Sequence, residues 1–267
     1  MRQALLISFL SLLTLGSFGQ PSHSSYQAGE HLQYRAVYNW GVLWLNAGTV
    51  DFYVRDTVFK GEAACKLESI GRSFPTYDWF FKVRDTFVSL ISCTSQKPLY
   101  FTRKTYEGGY EVDNWVHYNY SKQQLIAKTE NSEKPPTLDT LPLMEDVYDV
   151  ISGVYHARNI SFEHCRINDT LPIKLIIDGG VEQLYLRYLG REILKTRDNR
   201  SFRTIKFSSL LVKGTIFKGG ENLTVWVTDD RNHIPIMVEA SILVGNVKAL
   251  FVDAKGLKYP MEAEIIK

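Results

Sequence analysis

The chain has 267 residues, 45% of them hydrophobic and 13% aromatic, with 31 Lys and Arg against 29 Asp and Glu. Its length and apolar content allow a substantial core and exclude a disordered chain. With 18 Gly, 9 Pro, 3 Cys and a formal charge of +2, it is neither collagenous nor a disulfide scaffold and has no basic footprint for nucleic acid.

At the start, Met1-Arg2-Gln3 supplies a positive charge, residues 4–15 form an apolar run broken only by Ser and Thr, and Ser17-Phe18-Gly19 set small residues before a cleavage position. This is the pattern of a secretory signal peptide over residues 1–19, followed by a mature domain over 20–267. The apolar run is shorter than the roughly 20 residues a membrane-crossing helix needs. No Cys near the cleavage position offers a lipid attachment point. No later stretch is apolar enough to span a bilayer, since even 234–251 carries Glu239, Asn246 and Lys248. Removing 1–19 deletes one Arg and no acid, so the balance stays close to neutral and argues against an anionic membrane surface as destination.

Period two dominates the mature chain. Residues 49–55 set Val50, Phe52 and Val54 against Thr49, Asp51, Tyr53 and Arg55, the alternation of a half-buried strand. Strands are also predicted over 30–40, 58–72, 82–92, 98–107, 110–120 and 123–130, then over 171–178, 181–189, 202–213, 223–227, 234–244 and 247–257. Gly108-Gly109 and Gly179-Gly180 each join two runs, and Gly219-Gly220 precedes another. Pro235 suits a strand start or edge.

Between two strands, 75–81 reads as a short helix in which Tyr77, Trp79, Phe80 and Phe81 crowd together, with Arg84 close behind. Such a cluster is either the lip of an apolar pocket or a surface that meets lipid or a partner, or else a plug that closes one end of a curved sheet. The plug is favoured, because aromatic clusters in sheet proteins are usually core. These five residues are the candidate ligand-binding set.

Residues 131–136 are polar and proline-containing and read as a linker. An amphipathic helix is predicted over 145–158, where Val147, Val150, Ile151, Val154 and Tyr155 define one stripe. Glu145 and Asp146 at its start and His156 and Arg158 at its end match the helix dipole. The predicted architecture is therefore mainly β, with long antiparallel strands forming a curved sheet or open half-barrel around one central helix. Two sheet-forming halves, 26–131 and 169–267, flank the linker and helix.

No catalytic or metal-binding motif emerges, and nothing calls for a cofactor. There is no nucleophile elbow, phosphate loop, dinucleotide turn or metal-ligand spacing. Asp229-Asp230 precedes Arg231-Asn232-His233 and reads as a turn that caps backbone N–H groups rather than as a catalytic pair. Asp149 and Arg158 read as a solvated face or a structural ion pair. Cys65 and Cys93 fall in strand-like runs and either face each other across a sheet or pack as free thiols, while Cys165 lies in a loop-like stretch. Asn-x-Ser/Thr triplets begin at Asn119, Asn159, Asn168, Asn199 and Asn222.

Seven short pieces recur in a recognisable order: Ala28-Gly29-Glu30-His31-Leu32-Gln33-Tyr34, Asn46-Ala47-Gly48, Phe81-Lys82-Val83-Arg84-Asp85, Tyr106-Glu107-Gly108-Gly109-Tyr110, Asp149-Val150-Ile151-Ser152, Gly190-Arg191-Glu192, and Trp226 to Pro235 with Val244-Gly245. Together they resemble the DUF3108 family of exported bacterial proteins, over nearly the whole mature chain. The resemblance implies a β-rich protein of the Gram-negative envelope, periplasmic or associated with the outer membrane, and supplies no mechanism. Cys93 stands where the family pattern leads one to expect an acid. The expected function is non-catalytic, with the curved sheet holding an apolar or lipid ligand. The alternative is a structural or assembly module that binds an envelope protein. An enzyme would require a polar cleft that gathers Asp85, Asp149 or Asp229 with a histidine.

Overall fold

The computed structural model describes residues 24–40, 43–211, 220–241 and 246–266, so the signal-peptide reading, Gly219 and Val244-Gly245 lie outside the described residues. Among the described residues, fifteen strands form one sheet. The first eight are β1 (His31–Trp40), β2 (Leu43–Phe59), β3 (Glu62–Ser73), β4 (Val83–Ser92), β5 (Pro98–Glu107), β6 (Tyr110–Asn119), β7 (Gln124–Asn131) and β8 (Lys134–Pro142). The remainder are β9 (Val147–Tyr148), β10 (Thr170–Ile177), β11 (Gly180–Lys195), β12 (Ser201–Leu211), β13 (Gly220–Thr228), β14 (Pro235–Ser241) and β15 (Asn246–Lys255). Helix α1 (Pro75–Phe81) joins β3 to β4, and α2 (Val150–Arg158) follows β9.

The spatial order runs β8 to β1 and then β15 down to β9. All ladders are antiparallel except that of β9 with β10. The first and last strands pair in mid-sheet, from His31 opposite Lys255 to Asn39 opposite Asn246. The two edge strands, β8 and β9, are joined through only residues 143–146. At about 3.6 Å per residue that connection reaches at most about 18 Å, so the edges must lie near each other and the sheet must roll. It is not closed by a backbone ladder.

Side chains fill the roll. Val54, Leu67, Ile91, Phe101, Val116 and Leu125, from β2 to β7, share one core with Ile151 and Tyr155 of α2 and Ile176 of β10. A second cluster joins Leu32, Tyr34 and Phe251 to Phe202 of β12, with Leu194 packed against it, so the β11–β12 hairpin covers β1 and β15. A third surrounds Phe162 with Leu186, Tyr188, Ile205 and Phe207.

The mainly β architecture with a central helix is as expected. Two local readings are corrected. The helix begins at Val150, not 145, because Asp149 is the better cap. Its Oδ1 accepts from Ile151 N at 3.0 Å and Ser152 N at 2.9 Å, and Ser152 Oγ accepts from Asp149 N at 3.0 Å, a reciprocal capping box. Val147 therefore lies on β9, and Val154 is exposed rather than part of the buried stripe. Residues 131–136 are not a linker either. Asn131 pairs with Lys134 across a two-residue turn, and Pro135 and Pro136 lie on β8, an edge strand, where a missing N–H is tolerated.

Candidate functional site

Helix α1 carries three of the exposed large hydrophobic side chains among the described residues, Trp79, Phe80 and Phe81. Pro75 sits in its first turn, and Phe74 before it, in extended conformation, donates its N–H to Ala47 O at 2.9 Å. None of its seven residues is buried. Trp79 is 84% and Phe80 78% exposed, and their rings meet edge to face at 5.9 Å. Phe81 is partly covered. Its ring lies over Gly108 of the β5–β6 turn, where an added Cβ would come within 2.3 Å of Cε2. The expectation of an internal plug is therefore corrected: seven residues form barely two turns, too short to bury Trp79, Phe80 and Phe81 together, and two of the rings point outward.

The base of this tip is held by polar groups. Ser73 Oγ accepts from Val83 N at 2.9 Å and donates to Asp78 Oδ1. Arg84 reaches across both. Its Nη1 donates to Ser73 Oγ at 3.0 Å, Asp78 Oδ1 at 3.1 Å and Val83 O at 2.6 Å, while Nη2 pairs with Asp78 Oδ2. The Arg84 guanidinium and then the Ser73 hydroxyl hold the Asp78 carboxyl below its usual range. Arg84 is thus committed to the scaffold, and the groups left for an apolar ligand are Trp79, Phe80 and the edge of Phe81. Tyr77 is half-buried, with its N–H donated to Phe74 O at 2.9 Å.

Behind α1, Gly71, Asp85 and Thr105 lie in register across β3, β4 and β5. Asp85 Oδ1 and Thr105 Oγ1 are buried without a hydrogen-bond partner. Burial, followed by the nearby Glu107 carboxylate, raises the Asp85 carboxyl to about 7 against the Tyr106 backbone N–H and Arg103. Asp149 is the α2 cap and Asp229 is paired with Arg191 at 3.0 Å, so these three acids serve separate places. An open cleft of about 410 Å³ lies elsewhere, between Pro98, Tyr120, Gln123 and the 143–148 connection.

The family model for DUF3108, a protein of unknown function, matches residues 33–252. The chain belongs to the DUF3108 family. No curated protein matches this DUF3108 chain. It is similar in fold to a solved structure described as a beta-barrel-like protein of domain of unknown function DUF1849 from Brucella abortus. That likeness has a TM-score of 0.53 at 9% identity and covers 86% of this chain and 98% of the other. Neither match points to an enzyme family.

The Asp229-Asp230 turn of the DUF3108 chain behaves as read from its residue types. Asp230 Oδ1 accepts from Thr228 Oγ1 at 2.8 Å and Asn232 N at 3.0 Å, and Oδ2 accepts from Ala263 N at 3.1 Å. What sequence reasoning missed is the buried hub this turn supports. Arg158 pairs with Glu30 through two hydrogen bonds of 2.6 and 2.9 Å and donates from Nε to Asn232 O at 3.2 Å. Arg158 is an ion-pair residue as one reading held, but neither it nor Asp149 lies on a solvated face. Glu30 precedes β1 and Arg158 ends α2, 128 positions apart, so no local spacing could have joined them.

Proposed function

We propose that this protein is an exported, non-catalytic envelope protein that engages an apolar or lipid ligand through the aromatic tip α1. The exposure of Trp79 and Phe80 on a braced connection carries this reading. Two large aromatic faces in water are unfavourable by about 1.5–3 kcal/mol each relative to burial, and aromatic side chains with one wet end suit a lipid boundary. The concave face is occupied by the protein's own side chains, which supports a ligand met at the surface rather than held within the roll. The near-neutral charge supports apolar rather than electrostatic attachment.

The test is flotation of the purified protein with zwitterionic and anionic vesicles, alongside titration with a fluorescent fatty acid. Binding is expected to both vesicle types with little salt dependence. Trp79→Ser with Phe80→Ser should weaken binding about a hundredfold or more at unchanged folding, since about 3 kcal/mol or more of burial is lost. Failure of the unmutated protein to bind either vesicle type or the fatty acid would sink the proposal. A protein crosslinked to α1 in cells without lipid binding would point to the assembly role instead.

A further inference from the structure

Three side chains converge where β2, β3 and the end of β4 meet. Asp56, Cys65 and Cys93 bring a carboxylate oxygen and two Sγ atoms within 4.8 Å of one another. Asp56 is directly opposite Cys65 across β2 and β3, and Cys65 is opposite Ile91 on β4. Cys93 follows two residues later, one position past β4, in the turn toward β5. It lies beyond the ladder, where its carbonyl accepts from Gln96 Nε2 at 3.3 Å. Both cysteines are half-buried free thiols, and Cys65 packs against the core of Leu67 and Ile91. Cys165 belongs to the separate cluster around Phe162.

We infer that Cys65 and Cys93 are the partners of a structural disulfide that ties β3 to the β4–β5 turn, with Cys165 left as the single thiol. The natural oxidant rests on the export reading above, because disulfides persist in oxidising compartments; the pairing itself does not. The oxidant is a disulfide-bearing molecule such as oxidised glutathione. One cysteine thiolate attacks a glutathione sulfur and releases the first glutathione, and the second attacks the resulting mixed disulfide and releases the other. One S–S bond breaks and one forms, two electrons pass to glutathione, and the two cysteine protons end on its two thiols. Burial, then the neighbouring Cys93 thiol and the Asp56 carboxylate, raise the Cys65 thiol to about 12. Little of the Cys65 thiol is therefore thiolate in the folded state, which favours closure of the bond while the chain is still folding.

The experiment refolds the full chain from denaturant in a mixture of reduced and oxidised glutathione, blocks remaining thiols, and maps the peptides by mass spectrometry. The expected result is one blocked thiol, Cys165, a peptide linked through Cys65 and Cys93, and a melting temperature that falls by about 5–10 °C on reduction. Cys65→Ser should leave two thiols and remove the sensitivity to reductant. Three free thiols after refolding, or a bond to Cys165, would overturn the inference. So would thiols that stay reduced and are shielded only by added zinc, because Asp56, Cys65 and Cys93 would then form a cation site. Refolding in vitro needs no export, so a cytoplasmic protein with this bond would refute the export reading alone.

Discussion

Arg158 and Glu30 are 3% and 1% exposed, so two opposite charges are withdrawn from water together. Removing one partner leaves the other uncompensated. Arg158→Leu or Glu30→Gln should lower stability by about 3–5 kcal/mol in urea unfolding, and joint replacement by apolar residues should restore part of the loss. A single loss below about 1 kcal/mol would show that water reaches the pair. Asp149 is a smaller case. Its carboxylate caps Ile151 and Ser152 and accepts from Ser89 Oγ at 2.7 Å, so Asp149→Ala should cost about 2 kcal/mol by the same measurement. Asp85 imposes a pH dependence. Its folded value of about 7 lies above the ordinary carboxyl value of 3.8, so the folded state holds a proton that the unfolded state releases. Its contribution is complete below about 3.8 and is lost as pH rises toward and through about 7. Asp85→Asn should flatten that part of a stability profile measured from pH 4 to 8. Residue types announced the capping turn at Asp230, where Asp and Asn act on their own neighbours. They could not announce the hub, whose members meet only through the fold.

Helix α1 is seven residues long and carries no side-chain cap at its start, so on its own it is marginal. Arg84, Ser73 and Asp78 hold its base and Phe81 seats it on Gly108. Arg84→Ala should therefore expose residues 74–82 to faster amide exchange and to proteolysis while changing the global melting temperature little. Equal protection in both proteins would mean that the braces contribute nothing. Gly108 has a φ of 60°, which favours glycine, and its Cβ position is already occupied by Phe81. Gly108→Ala should loosen the same segment. The aromatic cluster and most strands were legible because both signals are local: ring density in one, alternation in the other. Burial was not, since whether two rings point into or away from a sheet depends on how the preceding strand enters the helix. The β8 reading failed for a related reason. Two prolines resemble a linker until the strand is known to lie at an edge.

At the scale of the molecule, two facts make the strands interdependent. β1 pairs with β15, and the core that lines β2 to β7 also takes Ile176 from β10. Between the two arms of the sheet, Asp178 Oδ1 in the β10–β11 turn accepts from Arg103 Nη1 of β5 at 3.1 Å and from Asn114 Nδ2 of β6 at 3.0 Å. Urea unfolding followed by tryptophan fluorescence and by far-ultraviolet dichroism should give one coincident transition. Separate midpoints would divide the sheet into two cooperative units. Long alternating runs pointed to a curved sheet with an internal helix. The rolled order was hidden, because it depends on a short connection between edges whose identity only the pairing reveals.

The pairing of β1 with β15 also bears on timing. The strand that completes the middle of the sheet is the last of the fifteen to be synthesised, so its ladder cannot be knit while the chain is still growing. Contacts of such long sequence separation form slowly even once all the partners are present. Translation order thus leaves one side of β1 unpaired until β15 has emerged, even where the sequential β1–β8 ladders are already made.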